Sequence, residues 1–364
     1  MRASPLINLH REAGAEIGEF AGWQSPLWFA TVREEHQAVR NEAGIFDISH
    51  MTRIEITGNE AELFLDKLLT QDVKKTKPGR MKYCLMLNEQ AGIIDDLTFY
   101  KDSEESIIIV SNAATRERVV RWLKTHSEGF DVDVRDFTDS SVLLAVQGPR
   151  SADYVGKWLN TDLRDMKWFS GRWVKYRGLH VLLTRSGYTG EDGFELNIRD
   201  GSAEDFGKVW TEFMAMGVKP CGLAVRDMLR LECAYPLYGH EMDEATTPVE
   251  ARLMWAVKME KQGFIGKEAL ISKSSEKPSS LLVGLKMVEQ GIPRGGYVVM
   301  SREEREIGRV TSGGMSYSLN RGIALAKIAP EYADDGTVVL VDIKGKPRKA
   351  EVSLRPFVEY RIPR

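Results

Sequence analysis

Arg185-Ser186-Gly187-Tyr188-Thr189-Gly190-Glu191-Asp192-Gly193-Phe194-Glu195-Leu196-Asn197-Ile198 changes character partway along. Three glycines within seven positions demand tight turns, because glycine takes positive φ without steric cost. From Phe194 onward the pattern has a period of two. Phe194, Leu196 and Ile198 then point to one face of a strand, and Glu195 and Asn197 to the other. With the apolar face in a core, Glu195 is aimed either at water or at a polar pocket. Upstream, Trp173-Val174-Lys175-Tyr176 and His180-Val181-Leu182-Leu183-Thr184 read as the strands leading into it.

Earlier in the chain, Phe20–Phe29 is aromatic and broken by glycine and proline, so it reads as a packed loop. Thr31–Ala43 reads as a helix ended by Gly44, and Arg53–Thr57 alternates like a strand. Asn59 can cap a helix striped with Ala61, Phe64, Leu65 and Leu68. Lys82–Leu87 and Ile93–Tyr100 flank the turn Asn88–Gly92 as a β-hairpin. Inside the second of these strands lie Asp95 and Asp96, whose side chains should leave opposite faces of the sheet. Aspartate is depleted in strands, so the pair marks either a hairpin end at a solvent edge or a working site. Ile107–Val110 is a buried-type strand, and Ser111 or Asn112 caps a helix to about Lys124. This succession predicts an α+β unit with helices on one face of an antiparallel sheet. A related pattern of strand, turn and helix begins at Val142–Pro149.

Beyond the opening stretch, Ser202 caps a helix with Phe206, Trp210 and Phe213 on its apolar side. Leu223–Ala234 is a second helix, with Arg226 and Arg230 one turn apart and Asp227 beside them. That trio reads as a solvated, ion-paired face unless its arginines clamp an acidic ligand. Tyr238–Ala251 is a long polar loop, of a kind that is usually functional or disordered. Ser272–Pro278 is the best linker candidate. Past it, six short strand-like runs between Leu281 and Leu354 predict a small closed barrel or jelly roll of about 85 residues.

At 364 residues, two or three domains are expected. A net charge of −3 offers no basic field for nucleic acid. The cluster Lys74, Lys75 and Lys77 is either a solvated loop or a local anion-binding rim. Cys84, Cys221 and Cys233 form no CxxC pair, and the six histidines show no ligand spacing, so no metal site is indicated. With no signal-like or membrane-length apolar run, the chain is expected to be cytoplasmic, or mature organellar, with no membrane partner. There is no GxSxG, P-loop or dinucleotide fingerprint. What remains is carboxylates, arginines and aromatics, which suit an extended aromatic substrate carrying acid groups.

In order along the chain, Phe20-Ala21-Gly22-Trp23, Phe46-Asp47-Ile48-Ser49-His50-Met51, Gly92-Ile93-Ile94-Asp95-Asp96, Gly187–Gly193, Arg230-Leu231-Glu232 and Thr246-Thr247-Pro248-Val249-Glu250 resemble the aminomethyltransferase (T-protein) family of the glycine cleavage system. Phe264-Ile265-Gly266-Lys267 and Val310-Thr311-Ser312-Gly313 extend the resemblance over nearly the whole chain. Tyr317 departs from it, standing where the family usually has proline. The resemblance implies an α+β fold of three domains in a cloverleaf around a central folate channel. The first would be discontinuous (1–50 plus 140–275), the second an inserted ferredoxin-like unit (51–139), and the third a C-terminal β-barrel or jelly roll (278–364). It also implies tetrahydrofolate as co-substrate and the lipoyl arm of H-protein as donor. The products would be 5,10-methylenetetrahydrofolate, ammonia and the dihydrolipoyl carrier.

Carried over residue by residue, Asp96 matches the family's catalytic carboxylate, Glu195 its folate-binding glutamate and Arg226 its ligand-binding arginine. Tyr188, Tyr83, Met51 and Asn112 are implied as pocket walls, and Lys74, Lys75 and Lys77 as contacts for an acidic carrier. Two relatives on the same scaffold compete with this reading. One is a tetrahydrofolate-dependent demethylase; the other is a folate-binding iron–sulfur maintenance protein. The second resembles a Lys-Gly-Cys-Tyr-x-Gly-Gln-Glu motif that is absent here. The Gly-Tyr-Thr-Gly-Glu-Asp and Thr-Thr-Pro-Val-Glu runs favour the aminomethyltransferase.

Overall fold

The structure, a computed structural model, describes residues 1–363 as a mixed α+β chain. Its largest element is an eleven-stranded sheet. One half runs Lys219–Cys221, Gly44–Asp47, Ser141–Gln147, Gly193–Arg199, Leu179–Arg185 and Ser170–Tyr176. The other half runs Arg80–Leu87, Ile93–Lys101, Ser106–Ser111, Thr52–Thr57 and Asp133–Asp136. The halves meet through one register pair, Ser170 with Arg80.

The period-two reading holds at the strand Gly193–Arg199. Phe194, Leu196 and Ile198 are fully buried, under the helices Ser151–Leu159 and Ala203–Ala215, with Val155, Trp158, Phe206, Trp210 and Phe213 facing them. Each such side chain contributes about 1.5–3 kcal/mol by leaving water. Glu195 therefore emerges on the opposite face of the sheet. In the other half, Phe64, Leu65 and Leu68 from the helix Ala61–Leu68 pack with Val119 and Leu123 on Ile54, Ile107 and Ile109. The six C-terminal strands close into a barrel in the order Leu281–Met287, Arg321–Ile328, Glu306–Ser316, Val298–Met300, Val338–Asp342, Pro347–Ser353. Closure selects the barrel over the jelly roll.

Thr31 and Ser202 both cap their helices through reciprocal capping boxes, with Glu34 and Asp205. Several local expectations change. Phe20–Phe29 is not a loop: Glu16–Phe20 and Trp23–Trp28 form a hairpin turned at Ala21 and Gly22, with φ of 49° and 81°. Pro26 is tolerated in the middle strand because Arg2–Ala3 pairs only as far as Gln24. Gly44 does not cap a helix. It opens a strand, and a Cβ there would lie 2.6 Å from Cys221 Sγ. Asn59 leaves its helix uncapped and donates instead to Asp131 Oδ2. Ser272–Ser274 belong to the helix Lys267–Ser274 rather than to a linker.

Candidate functional site

Asn112 occupies an N-cap position before the 3₁₀ turn Ala113–Thr115 but gives that turn no side-chain cap. Its amide turns back to the hairpin instead. Nδ2 lies 2.8 Å from Asp95 Oδ1, 2.9 Å from Asp96 Oδ1 and 2.9 Å from the Asp96 carbonyl. The Asn112 backbone N–H donates to Asp95 Oδ2 at 3.1 Å. Alternation alone separates the two carboxylates across the sheet; in the structure one amide reaches both. The hairpin register slips between Met86 and Leu87, opposite this point. Tyr83, on the neighbouring strand, donates its hydroxyl to Asp96 Oδ2 at 3.0 Å. Its ring stacks on Trp255, with centroids 5.2 Å apart, and Trp255 is 65% exposed, so this side of the group opens to solvent.

Burial pushes the Asp96 carboxyl up to about 6, against the opposing pull of the Tyr83 and Asn112 hydrogen bonds. Asp95 is raised well above the ordinary carboxylate range, first by burial and then by the Asp96 charge. Burial thus raises both neighbouring acids, and the charge of Asp96 opposes ionisation of Asp95.

A second group gathers on the strand Gly193–Arg199 and the helix Leu223–Glu232. Ser186 Oγ donates to Glu195 Oε2 at 2.6 Å. The Arg226 guanidinium lies 4.9 Å from the Tyr188 ring centroid, and burial lowers its proton affinity while Glu195 and Tyr188 hold it up. Arg226 Nη1 is buried without a hydrogen-bond partner among the described residues. Tyr188 donates its hydroxyl to the Pro236 carbonyl and stacks on Tyr235. Burial raises the Tyr188 phenol; the Asp96 and Arg226 charges act on it in opposite directions. Tyr188 therefore stands within the field of both groups.

Met51 is partly buried and packs against the core beneath the Arg226 helix, which includes Leu223, Val225 and Leu229. Lys74, Lys75 and Lys77 are exposed, and Lys75 pairs with Asp72 at 3.0 Å.

Arg230 overturns the solvated-face reading of its helix. It is 1% exposed, and donates through Nη1 to Glu241 Oε2 at 3.1 Å and through Nη2 to Ser312 Oγ at 2.8 Å. Glu241 also accepts from Thr311 of the barrel, and its charge raises both Asp96 and Tyr188. Sequence reasoning missed this residue. The only signal for it was the length of the polar loop that carries it, which is folded through close turns rather than disordered. Among the described residues, no group of three His, Cys, Asp or Glu could hold a metal, and no helix is long and apolar enough to cross a membrane.

Residues 6–261 match the family model described as the GCVT N-terminal domain, and residues 281–359 match the glycine cleavage T-protein C-terminal barrel domain. The chain is 42% identical over 363 residues to an aminomethyltransferase of Geobacillus kaustophilus, covering 98% of each chain. It is 41% identical over 361 residues to one of Thermotoga neapolitana, again covering 98% of each. The crystal structure of glycine cleavage system aminomethyltransferase T from Bartonella henselae matches with a TM-score of 0.92 at 35% identity, over 99% of both chains. Likeness along the full length, in sequence and in fold, establishes that this chain belongs to the aminomethyltransferase (glycine cleavage T-protein) family.

Proposed function

We propose that the chain transfers the methylene carbon of an aminomethyl group from the lipoyl arm of H-protein to tetrahydrofolate. The products are 5,10-methylenetetrahydrofolate, ammonia and the dihydrolipoyl carrier. The observation that carries this reading is the charged Asp96, held by Tyr83 and Asn112 and sharing the field at Tyr188 with Arg226.

The donor set fits a reduced pterin with an acidic tail. Glu195 presents a carboxylate that can accept from an amidine-like edge, and the partnerless Nη1 of Arg226 supplies a donor. The aromatic rings of Tyr188 and Tyr83 offer walls for a flat ring, and Met51 a softer apolar surface. Tetrahydrofolate, when bound, supplies the nucleophilic nitrogen. Asp96 holds negative charge where positive charge develops on the transferred carbon, and Tyr83 and Asn112 fix the direction of its oxygens. Asp95 beside it is raised well above the ordinary carboxylate range, by burial and by the Asp96 charge.

We divide the chain into 1–50 with 140–275, 51–139 and 278–364, arranged as a cloverleaf around this slot. The single register pair between the sheet halves and the separate closed barrel favour that division. Three free, buried cysteines fit a reducing compartment, and we place the enzyme in the cytoplasm. The exposed lysines Lys74, Lys75 and Lys77 are the proposed contacts for the carrier.

The test is ammonia release from aminomethyl-loaded H-protein with and without tetrahydrofolate. Strong stimulation by folate supports the reading. A rate indifferent to folate, or folate-dependent demethylation of another small substrate in its place, overturns it.

A further inference from the structure

Beyond the barrel, residues 357–361 run back across the glycine-turn loop that carries Tyr188. The Arg361 N–H donates to the Gly190 carbonyl at 2.7 Å, and Arg361 and Glu191 form a parallel bridge. The Arg361 guanidinium donates through Nη2 to Glu191 Oε1 at 2.5 Å and to the Arg40 carbonyl at 2.6 Å. Val358 N–H donates to the Glu232 carbonyl at 3.0 Å, and the Tyr360 hydroxyl to the Cys233 carbonyl at 3.0 Å. This short segment therefore touches the end of the Arg226 helix and the loop of Tyr188 together.

A continuous stack of rings joins it to the site. Tyr360 lies on Tyr235 with centroids 5.4 Å apart at 28°, and Tyr235 lies on Tyr188 at 5.5 Å and 20°. Arg226 stands 4.9 Å from the Tyr188 centroid. At the loop, Gly190 has φ of 75°, and a Cβ on it would sit 2.2 Å from Cys233 Sγ, so the chain there has one available path. Glu191 is fully buried beneath the segment, whereas Tyr360 is 42% exposed. The outer ring can be removed without emptying a core.

From these contacts we infer that Tyr360 and Arg361 are positioning residues for the proposed folate pocket. They touch no reacting atom. Tyr360 acts through Tyr235 to fix the plane of Tyr188, and Arg361 acts through Gly190 and Glu191 to fix the backbone that carries it. The inference rests on the reading of the pocket given above.

The experiment compares Tyr360→Ala, Tyr360→Phe, Arg361→Ala and Arg361→Lys in the full chain by two measurements. Hydrogen exchange at residues 187–191 reads the strap itself and needs no activity. Tyr360→Ala and Arg361→Ala should speed exchange there about tenfold or more, while Tyr360→Phe, which keeps the stack, stays near wild type. In the ammonia assay, Tyr360→Ala should raise KM for tetrahydrofolate about five- to tenfold with kcat and the carrier KM within about twofold, and Arg361→Lys should recover most of what Arg361→Ala loses. Unchanged exchange in Tyr360→Ala overturns the inference. So does an equal loss in Tyr360→Ala and Tyr360→Phe, or a fall in kcat with no change in the folate KM. A wild-type enzyme without folate-stimulated release would sink the functional reading alone, leaving the exchange result to judge the strap.

Discussion

Replacing Asp96 by asparagine keeps the outline of the side chain and removes its charge. Two effects on stability oppose each other. Tyr83 and Asn112 both donate to Asp96, and an asparagine can offer its single oxygen to only one of them. The mispaired side costs about 1–3 kcal/mol. Against this, the carboxyl titrates near 6 in the fold, compared with an ordinary 3.8. The folded chain therefore binds the extra proton between those values, and stability falls as pH rises through them. By neutral pH the ionised group costs on the order of 3 kcal/mol, a cost that asparagine escapes. The terms nearly offset, so the melting temperature at pH 7.5 should stay within a few degrees of wild type.

Turnover has no such compensation. Loss of the Asp96 charge should lower kcat by about 10²- to 10⁴-fold. The assay is the initial rate of ammonia release from pH 5 to 9. Wild-type kcat should fall as pH drops through about 6, where Asp96 takes up its proton, and the residual rate of Asp96→Asn should lack that limb. A variant that keeps more than about a third of wild-type turnover would refute the assignment. So would an acid limb unchanged by the substitution.

Glu195→Ala removes a charged acceptor from the proposed pterin edge and should weaken tetrahydrofolate binding by about 10- to 100-fold in calorimetry; wild-type affinity would move the anchor elsewhere. Asn112→Ala strips donors from two adjacent carboxylates, so it should lower both turnover and melting temperature, unlike Asp96→Asn. Arg230→Met leaves Glu241 buried without its cation, and denaturant titration should show a loss of about 3–5 kcal/mol. Asp47 and Glu232 are held down at about 2, Asp47 by His10 and Glu232 by His36 and Arg40, in both cases against burial. Their folded values lie below the unfolded ones, so they stabilise the fold above pH 4.5 and that contribution is lost as pH falls towards 2. Urea midpoints measured across that interval should drop less steeply in Asp47→Asn than in wild type.

Much of the architecture was legible because it rests on local periodicity. Phe194, Leu196 and Ile198 identify a half-buried strand, and the six short runs after residue 280 identify a small barrel or jelly roll, between which only the closed sheet decides. Turn chemistry was harder to read. The hairpin of residues 16–28 was hidden because its turn puts Ala21 at positive φ and a proline sits in its middle strand. Within the site, Asp95 and Asp96 announced themselves by breaking a strand preference. Asn112 did not: locally its position read as a cap, only the resemblance named it as a pocket wall, and it is the tertiary fold that brings its amide to the hairpin. Glu241 had no local signature, since its partners Arg230 and Thr311 lie 11 and 70 residues away.

The seam at Ser170 and Arg80 has a consequence for how the chain is made. All five strands of one half-sheet come from residues 52–136, so every hydrogen-bonded neighbour within that half has been translated before Ser141 is. The strand Gly44–Asp47, made earlier, must wait for residues 141–147 and then for 219–221. Synthesis thus delivers a finished inner unit between two ends of an unfinished outer one. During that interval the buried strand Gly44–Asp47 has neither neighbour, which leaves Ile45 and Phe46 open to chaperones and to other chains.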